Sequence, residues 1–227
     1  MKKYIGLSIA AILLVEACST MSQTTKSTLV GAGAGTAAGA AIGALIGNGK
    51  GAAIGAAIGG TVGTGAGYAI GKKMQKKADE LAKNLDNAEV ETITDQNGLE
   101  AIKVTFNSGI LFPTNGTTLS ATSKQELSTF AQNMRDLTDT DITVYGHTDN
   151  TGTAAVNERI SAQRADAVAS YLMQNGISAG RITTRGLSYN MPVADNSTAQ
   201  GRAQNRRVEI YVSANENMIK AAENGTL

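Results

Sequence analysis

The chain has 227 residues, of which 42% are hydrophobic, 4% aromatic and 17% charged, and its formal net charge is +1 at pH 7. That length allows one or two domains, and the near-neutral charge argues against a basic surface that searches for nucleic acid. A single Cys excludes an internal disulfide, and a single His excludes a metal site built from several histidines.

The N-terminus has the three-part organisation of a secretory signal. Lys2 and Lys3 precede an apolar run from about Ile5 to Val15, and small residues then lead to Cys18. The tetrapeptide VEAC resembles the lipobox of bacterial lipoproteins, which implies cleavage after residue 17 and acylation of Cys18. Residues 1–17 are therefore excluded from the fold. An ordinary signal peptide with an incidental Cys is the alternative.

Glycine recurs at every fourth position after a polar tether at residues 18–30. The register holds without interruption at Gly31, Gly35, Gly39, Gly43, Gly47, Gly51, Gly55, Gly59, Gly63, Gly67 and Gly71. The turn signal GNGKG divides this region into arms of about 17 and about 21 residues. At 1.5 Å per residue the arms reach about 25 Å and about 31 Å, against about 30 Å for a bilayer core.

The segment 31–71 therefore predicts a Gly/Ala-rich helical hairpin. Glycine destabilises a helix in water by about 1 kcal/mol relative to alanine, but it lets helices pack closely inside a membrane. The pattern resembles the glycine zippers of small envelope lipoproteins, which implies membrane insertion or oligomerisation at a membrane. A flexible linker or a soluble hairpin is the alternative.

Residues 72–88 predict a short amphipathic helix. One stripe carries Met74, Ala78, Leu81 and Leu85. The lysines near its start could contact lipid phosphates, but the pattern is more typical of a solvated helix that connects two parts of the chain.

Residues 89–215 have the composition of an independently folding domain. Two strand-like runs flank DQNG, a hairpin signal, and SGILFP is expected to continue the sheet. A helix begins after the N-cap Ser120 and runs to about Leu137, with the core face Leu127, Phe130, Ala131 and Met134. The strand DITVYGH follows, then a long helix that ends at Asn175-Gly176, and then the strands RITTRGLS and RRVEIYVSA.

This order, β-β-α-β-α-β-β, predicts an α+β sandwich with the helices packed on one face of a mixed sheet. Residues 216–227 are assigned to a C-terminal tail.

The long helix carries a charge on its apolar side. At about 100° per residue from Val156, Arg164 falls at about 80°, beside Asn157. The surrounding apolar arc consists of Val156, Ile160, Ala165, Val168, Tyr171 and Leu172. A buried unpaired charge costs several kcal/mol, so Arg164 needs a partner. Asp149 precedes it across a strand–loop–helix turn, and either a structural ion pair between them or a shared ligand would satisfy both.

Three motifs, GHTDNTG, NERISAQRADAVASYLMQNGI and RITTRGLSYNMPVADNSTAQGRAQNRRVEI, resemble the C-terminal peptidoglycan-binding domain shared by OmpA, the Pal lipoprotein and flagellar MotB. The resemblance covers about Phe106 to Val212 and implies an OmpA-like β-α-β-α-β-β sandwich. The upstream LFPTN departs from the family pattern, because Pro113 replaces an acidic residue.

The resemblance also implies a ligand, the diaminopimelate of peptidoglycan, which carries an ammonium and a carboxylate on one carbon. Asp149 would accept from the ammonium, and Arg164 would donate in bidentate fashion to the carboxylate. Flanking hydrogen bonds would come from Asn115, Asn157 and Arg206, and the backbone around Thr151 would suit an anion.

The expected function is non-covalent tethering of the outer membrane of a Gram-negative bacterium to its cell wall, with the lipid anchor at Cys18 and the C-terminal domain in the periplasm. The expected partners are peptidoglycan and a lipid membrane, with neither nucleic acid nor a cofactor or metal. One alternative is a glycine-zipper homo-oligomer or pore that uses the domain as an anchor.

A peptidoglycan hydrolase is the enzyme alternative, because His147, Asp149 and Ser161 lie close in sequence. No second His is available to orient His147, and the mature domain has neither a Cys nucleophile nor a G-x-S-x-G elbow. His147, at the end of a strand, is therefore expected to be structural. Arg207 and Glu209 alternate into the last strand and are also expected to be structural.

Overall fold

The structure is a computed structural model that describes residues 65–95, 97–112 and 116–227. The expectations for the signal peptide, Cys18, the tether and the glycine repeat up to residue 64 lie outside these residues, and so does Asn115.

The described part of the chain is an α+β domain, as the sequence predicts. Its helices are α1 (Gly65–Asn84), α2 (Ser108–Leu111), α3 (Ala121–Asn133), α4 (Ala154–Gln174), α5 (Ala199–Asn205) and α6 (Glu216–Glu223), with a short 3₁₀ turn at Ala179–Arg181. Its strands are β1 (Ala88–Thr94), β2 (Glu100–Asn107), β3 (Thr140–Gly146), β4 (Ile182–Gly186) and β5 (Arg207–Ala214).

The strands form one mixed sheet in the order β1-β2-β5-β3-β4. β3 and β4 are parallel and joined through α4, whereas every other neighbouring pair is antiparallel. The DQNG hairpin is confirmed: the Asp95 carboxylate accepts from the backbone N–H of Leu99 at 2.9 Å, and Gly98 has φ of 74°. That positive φ is readily adopted by glycine.

SGILFP does not continue the sheet, because residues 108–111 form the short helix α2. The side chain of Asn107 accepts from the backbone N–H of Gly109 at 2.8 Å. This local hydrogen bond turns the chain immediately after β2. The sequence-based expectation of strand here is therefore wrong.

Alternate residues of the central strands form the core, as expected for strands that are covered on one face. Ile102 and Val104 of β2 lie with Ile142 of β3 and with Val208 and Ile210 of β5, and all are inaccessible to solvent. The helices that pack on this face complete the predicted sandwich.

The helix ends follow the predicted caps closely. The Ser120 side chain accepts from the backbone N–H of Ser123 at 3.1 Å, which confirms it as the N-cap of α3. Asn175 caps the C-terminus of α4, and Gly176 follows with φ of 94°. α3 is shorter than predicted, because Met134 already closes it.

The segment predicted as a solvated connecting helix belongs to the folded domain. α1 is continuous from Gly65, and its residues Met74 and Leu81 are fully buried against the sheet and α3. Lys77 is also buried, and its ammonium lies 3.0 Å from Asp136. The apolar stripe excludes water from one edge of the core, so the expectation of a solvated helix is wrong. The predicted tail likewise contains α6, with Met218 buried.

α4 approaches the ends of β3 and β4 unusually closely. Gly146 and Gly186 are partners in the β3–β4 register. A Cβ on Gly146 would lie 2.0 Å from the carbonyl oxygen of Ser161, and one on Gly186 would lie 2.5 Å from the backbone nitrogen of Ala162. The two glycines therefore permit direct backbone contact and fix α4 relative to the strand ends.

In the part of the chain that the structure describes, no helix combines the length and the hydropathy that crossing a bilayer requires.

Candidate functional site

The loop after β3 is tied to two neighbouring segments before it reaches Asp149. The backbone N–H of His147 donates to the carbonyl oxygen of Arg207 at 2.9 Å, and that of Thr148 donates to the carbonyl oxygen of Ser188 at 2.9 Å. Ser188 has φ of 53°, in the left-handed region that non-glycine residues seldom adopt. The strained turn after β4 thus helps to fix the position of Asp149.

The Asp149 carboxylate is buried and accepts several hydrogen bonds. The backbone N–H of Thr151 donates to Oδ1 at 2.9 Å, the Thr151 hydroxyl contacts the same oxygen, and Arg206 Nη1 donates to Oδ2 at 2.6 Å. Burial raises the pKa of this carboxyl, but the donors outweigh burial and hold the pKa below its ordinary value. A carboxylate offers about four acceptor positions, so room remains on Oδ2 for one further donor.

Asn157 and Arg206 hold this loop in place. Asn157 is buried, and its Nδ2 donates to the carbonyl oxygen of Thr151 at 2.9 Å. The Arg206 side chain is 42% exposed, so its ion pair with Asp149 lies at the edge of the site. The Thr151 N–H, which the sequence analysis assigned to an anion, is used internally by Asp149.

Arg164 lies on the buried side of α4, as the helical wheel predicts, and is only 5% exposed. Its Nε donates to the carbonyl oxygen of Gly116 at 3.2 Å, and its Cζ lies 5.3 Å from the ring centroid of Phe112. Among the described residues, no carboxylate oxygen lies within 4.0 Å of the guanidinium and no acceptor bonds to either Nη. A structural ion pair with Asp149 is therefore not formed.

The charges around Arg164 favour an incoming anion. Burial lowers the pKa of the guanidinium, the neighbouring charge of Arg206 lowers it further, and Asp149 opposes both. Two guanidinium groups thus surround one carboxylate, and arginine stays protonated in proteins. A carboxylate bound at the Nη atoms would relieve the cost of burying this cation.

A second polar cluster lies beside the loop, on the face of the sheet opposite the apolar core. Arg207 Nε donates to Glu209 Oε1 at 2.7 Å, and the Tyr211 hydroxyl donates to Oε2 at 2.9 Å. His147 Nε2 lies 3.4 Å from Glu209 Oε2. This arrangement agrees with a structural role for the cluster.

Ser161, the nucleophile of the hydrolase alternative, is engaged elsewhere. Its hydroxyl donates to the carbonyl oxygen of Glu158 at 2.9 Å and accepts from the backbone N–H of Ser188 at 3.1 Å. It therefore joins α4 to the turn after β4.

Several residues that shape the site are not predicted from the sequence. Phe112 and Gly116 form the surroundings of Arg164, and nothing in their local pattern marks them. Asn205 is fully buried, accepts from the backbone N–H of Val193 at 2.8 Å, and donates to Asn196 Oδ1 at 2.9 Å. These bonds hold the 193–198 loop near the site. The amide residue within the GRAQNRR motif was the available signal.

The same fold occurs in solved structures of bacterial proteins. A "MotB like protein" from Desulfovibrio vulgaris has a TM-score of 0.56 and 22% identity, with 65% of this chain and 95% of that chain covered. The "cell wall anchor of the T6SS from Pseudomonas aeruginosa" has a TM-score of 0.52 and 31% identity, with 62% of this chain and 96% of that chain covered.

Residues 111–206 match the OmpA family, and residues 1–75 match the YMGG-like Gly-zipper. The domain that holds Asp149 and Arg164 is therefore a member of the OmpA family, as the motifs predicted, and it follows a Gly-zipper segment.

Among curated proteins, the chain is similar to "Probable lipoprotein YiaD" of Escherichia coli (strain K12), with 43% identity over 106 residues. This match covers 47% of the chain and 48% of that relative. "Peptidoglycan-binding protein ArfA" of Mycobacterium tuberculosis (strain ATCC 25618 / H37Rv) is 40% identical over 113 residues, or 50% of the chain and 35% of that relative. The chain thus spans half or less of the length of these two relatives.

Proposed function

We propose that this protein tethers a bacterial outer membrane to the cell wall, and that its OmpA-family domain binds the diaminopimelate of peptidoglycan. The observation that carries the proposal is the nearly buried guanidinium of Arg164, whose Nη atoms have no acceptor among the described residues. A buried cation in that state favours an anion supplied from outside the chain.

The chemistry of diaminopimelate matches the two charges of the site. Its side chain ends in a carbon that carries both an ammonium and a carboxylate. The planar fork of Arg164 suits a bidentate carboxylate, and the remaining acceptor position on Asp149 suits the ammonium. Arg206 and Thr151 keep Asp149 ionised and oriented, and Asn157 supports the loop. We assign Asn115 to a flanking hydrogen bond, because it directly precedes Gly116.

The names of the relatives support this proposal. ArfA is described as peptidoglycan-binding, and the Pseudomonas aeruginosa structure is described as a cell wall anchor. YiaD is named as a probable lipoprotein, which supports acylation of Cys18. We further propose that the domain of this protein lies in the periplasm.

Retention of the full-length protein on purified sacculi tests the ligand. We expect Arg164→Ala to lose most of its retention on diaminopimelate-type sacculi while its circular dichroism spectrum stays that of the folded protein. Arg159→Ala is the matched control, because Arg159 lies exposed on the same helix and its loss removes the same charge. Equal retention of both variants would refute the assignment of the site.

Two further comparisons test the recognition of the carboxylate. Lysine-type sacculi lack that carboxylate, so we expect weaker retention of the unmodified protein on them. Arg164→Lys should also bind weakly, because a single ammonium does not reproduce the planar fork of donors. Full binding by Arg164→Lys would mean that charge alone is recognised.

The Gly-zipper match at residues 1–75 supports a second candidate function, a zipper oligomer or pore for which the domain serves as anchor. Leakage of dye from liposomes that contain the full-length protein would favour this function. Intact liposomes would favour simple tethering.

A further inference from the structure

A groove of about 250 Å³ lies between α4 and the loop that leads into α3. It is lined by Thr117, Thr118, Leu119, Lys124, Ala167, Tyr171 and Gln174. None of them is part of the proposed diaminopimelate site.

The groove is continuous with the surroundings of Arg164. Gly116, whose carbonyl oxygen accepts from Arg164 Nε, directly precedes the groove residue Thr117. Ala167 and Tyr171 follow Arg164 by three and seven positions on α4, and residues at those spacings share one face of a helix. A ligand that reaches the Nη atoms of Arg164 can therefore extend along α4 into the groove.

The groove offers one positive charge and several hydrogen-bonding groups. Lys124 is exposed on the first turn of α3, and no carboxylate of the described residues lies within 4.0 Å of its ammonium. The hydroxyl of Tyr171 and the side-chain amide of Gln174 likewise donate no hydrogen bond to that part of the chain. An anionic group of a ligand that lies in the groove can therefore pair with Lys124.

The stem peptide of peptidoglycan places such a segment next to diaminopimelate. The amino group of diaminopimelate is joined to the γ-carboxyl of D-glutamate, whose α-carboxylate is left ionised unless it is amidated. α4 rises by about 10 Å from Arg164 to Tyr171. The diaminopimelate side chain and about one extended residue, at roughly 3.5 Å per residue, span a distance of this order.

We propose that this groove is a second subsite, in which Lys124 pairs with the α-carboxylate of the D-glutamate next to the bound diaminopimelate. The inference rests on the proposed function and extends it, because it makes the protein sensitive to the amidation state of the stem peptide. An unamidated stem supplies the partner of Lys124, and an amidated stem does not.

Calorimetric titration of the full-length protein with three soluble ligands tests this subsite. The ligands are meso-diaminopimelate, the tripeptide L-Ala-γ-D-Glu-meso-diaminopimelate, and the same tripeptide with the D-glutamate α-carboxyl amidated. We expect Lys124→Ala to weaken binding of the unamidated tripeptide about two- to fivefold, the range of a solvated ion pair. Its affinity for diaminopimelate alone should not change. Lys83→Ala, which removes an exposed lysine on α1, is the control.

The decisive result is the coupling between the two changes. Amidation should weaken binding to the unmodified protein by the same factor as Lys124→Ala, and it should have no further effect on that variant. The amidation effect should also shrink as salt is added.

Equal affinity of the unmodified protein for the two tripeptides would overturn the subsite and leave the diaminopimelate site in place. A uniform loss by Lys124→Ala on all three ligands would also overturn it. Failure of the unmodified protein to bind any of the three would overturn the proposed function and this inference with it.

Discussion

At the residue scale, the site depends on which charges are paired inside the chain. Asp149 already has Arg206 and Thr151 as partners, whereas Arg164 contacts only a carbonyl oxygen and an aromatic ring among the described residues. Removing one member of a buried pair leaves an uncompensated charge, which costs more than the pair contributes. This unequal pairing of Asp149 and Arg164 supports the proposal that a ligand completes the site.

His147 supplies a pH dependence that can be isolated, because it is the only histidine in the chain. It is 1% exposed, and burial lowers its pKa below the ordinary value of 6.5, although the charge of Glu209 opposes this shift. The unfolded chain then binds more protons than the folded one just below that ordinary value. The free energy of unfolding should therefore fall as pH drops through about 6.5, by at most about 1.4 kcal/mol per pH unit.

Urea unfolding of the full-length protein between about pH 5 and pH 7.5 measures this slope. His147→Gln removes the titrating group and should flatten the slope, whatever its effect on the absolute stability. Identical slopes in both proteins would show that His147 is not the group responsible.

The sequence was informative for residues whose chemistry conflicts with their local pattern. Arg164 could be singled out because a cation interrupts an apolar arc, and the structure buries it as the wheel predicts. Phe112 and the carbonyl oxygen of Gly116 could not be found in this way, since packing between distant segments decides their contacts. The internal use of the Thr151 N–H was missed for a related reason, because a local turn competes for the same donor.

At the element scale, the site depends on the close contact between α4 and the ends of β3 and β4. Gly146→Ala places a Cβ against the backbone of Ser161, and backbone cannot move aside as a side chain does. We expect a loss of at least about 1–3 kcal/mol in the free energy of unfolding, together with weaker sacculus binding because Arg164 is displaced. Gly180→Ala is the control, since its Cβ would meet only the Ser178 hydroxyl, at 3.8 Å. Similar stabilities of the two variants would contradict this role for Gly146.

α1 shows where the amphipathic pattern was right and its interpretation was wrong. The stripe containing Met74 and Leu81 was correctly identified, but periodicity alone does not tell whether a helix packs on its own domain. The many lysines at the start of α1 suggested that the helix is exposed to solvent. However, the Lys77 ammonium lies 2.6 Å from Glu80 and 3.0 Å from Asp136, so this side chain packs at the edge of the core. Burial of the apolar stripe, rather than the number of lysines, determines that α1 packs on the domain.

If α1 is part of the cooperative core, Leu81→Ala should destabilise the whole domain. Leu81 is fully buried, and removal of such a side chain costs about 2–5 kcal/mol. Lys76→Ala, at an exposed position of the same helix, should change stability by no more than about 0.5 kcal/mol. Denaturant midpoints of the two variants provide the measurement. Equal midpoints for Leu81→Ala and Lys76→Ala would show that α1 is a connecting helix outside the cooperative core.

At the scale of the whole molecule, the chain enters the domain far from the candidate site. Lys73 of α1 lies 3.3 Å from Asp139, immediately before β3 begins, whereas Asp149 follows the other end of that strand. A strand of seven residues is about 23 Å long. Tension between a membrane anchor upstream of α1 and a ligand at Asp149 would therefore act along β3, a strand with hydrogen-bonded neighbours on both sides.

The two ends of the proposed tether should be separable by mutation in cells of a Gram-negative host. Cys18→Ala removes the thiol that we propose is acylated, so the protein should leave the outer-membrane fraction but still bind purified sacculi, because Asp149 and Arg164 are intact. Arg164→Ala should show the reverse, since several acyl chains hold a protein to a bilayer at about 0.8 kcal/mol per buried methylene. Membrane fractionation and sacculus retention of the same preparations provide both measurements. If Cys18→Ala stays in the membrane fraction, the glycine zipper is itself sufficient for membrane attachment, and the lipid-anchor assignment is wrong.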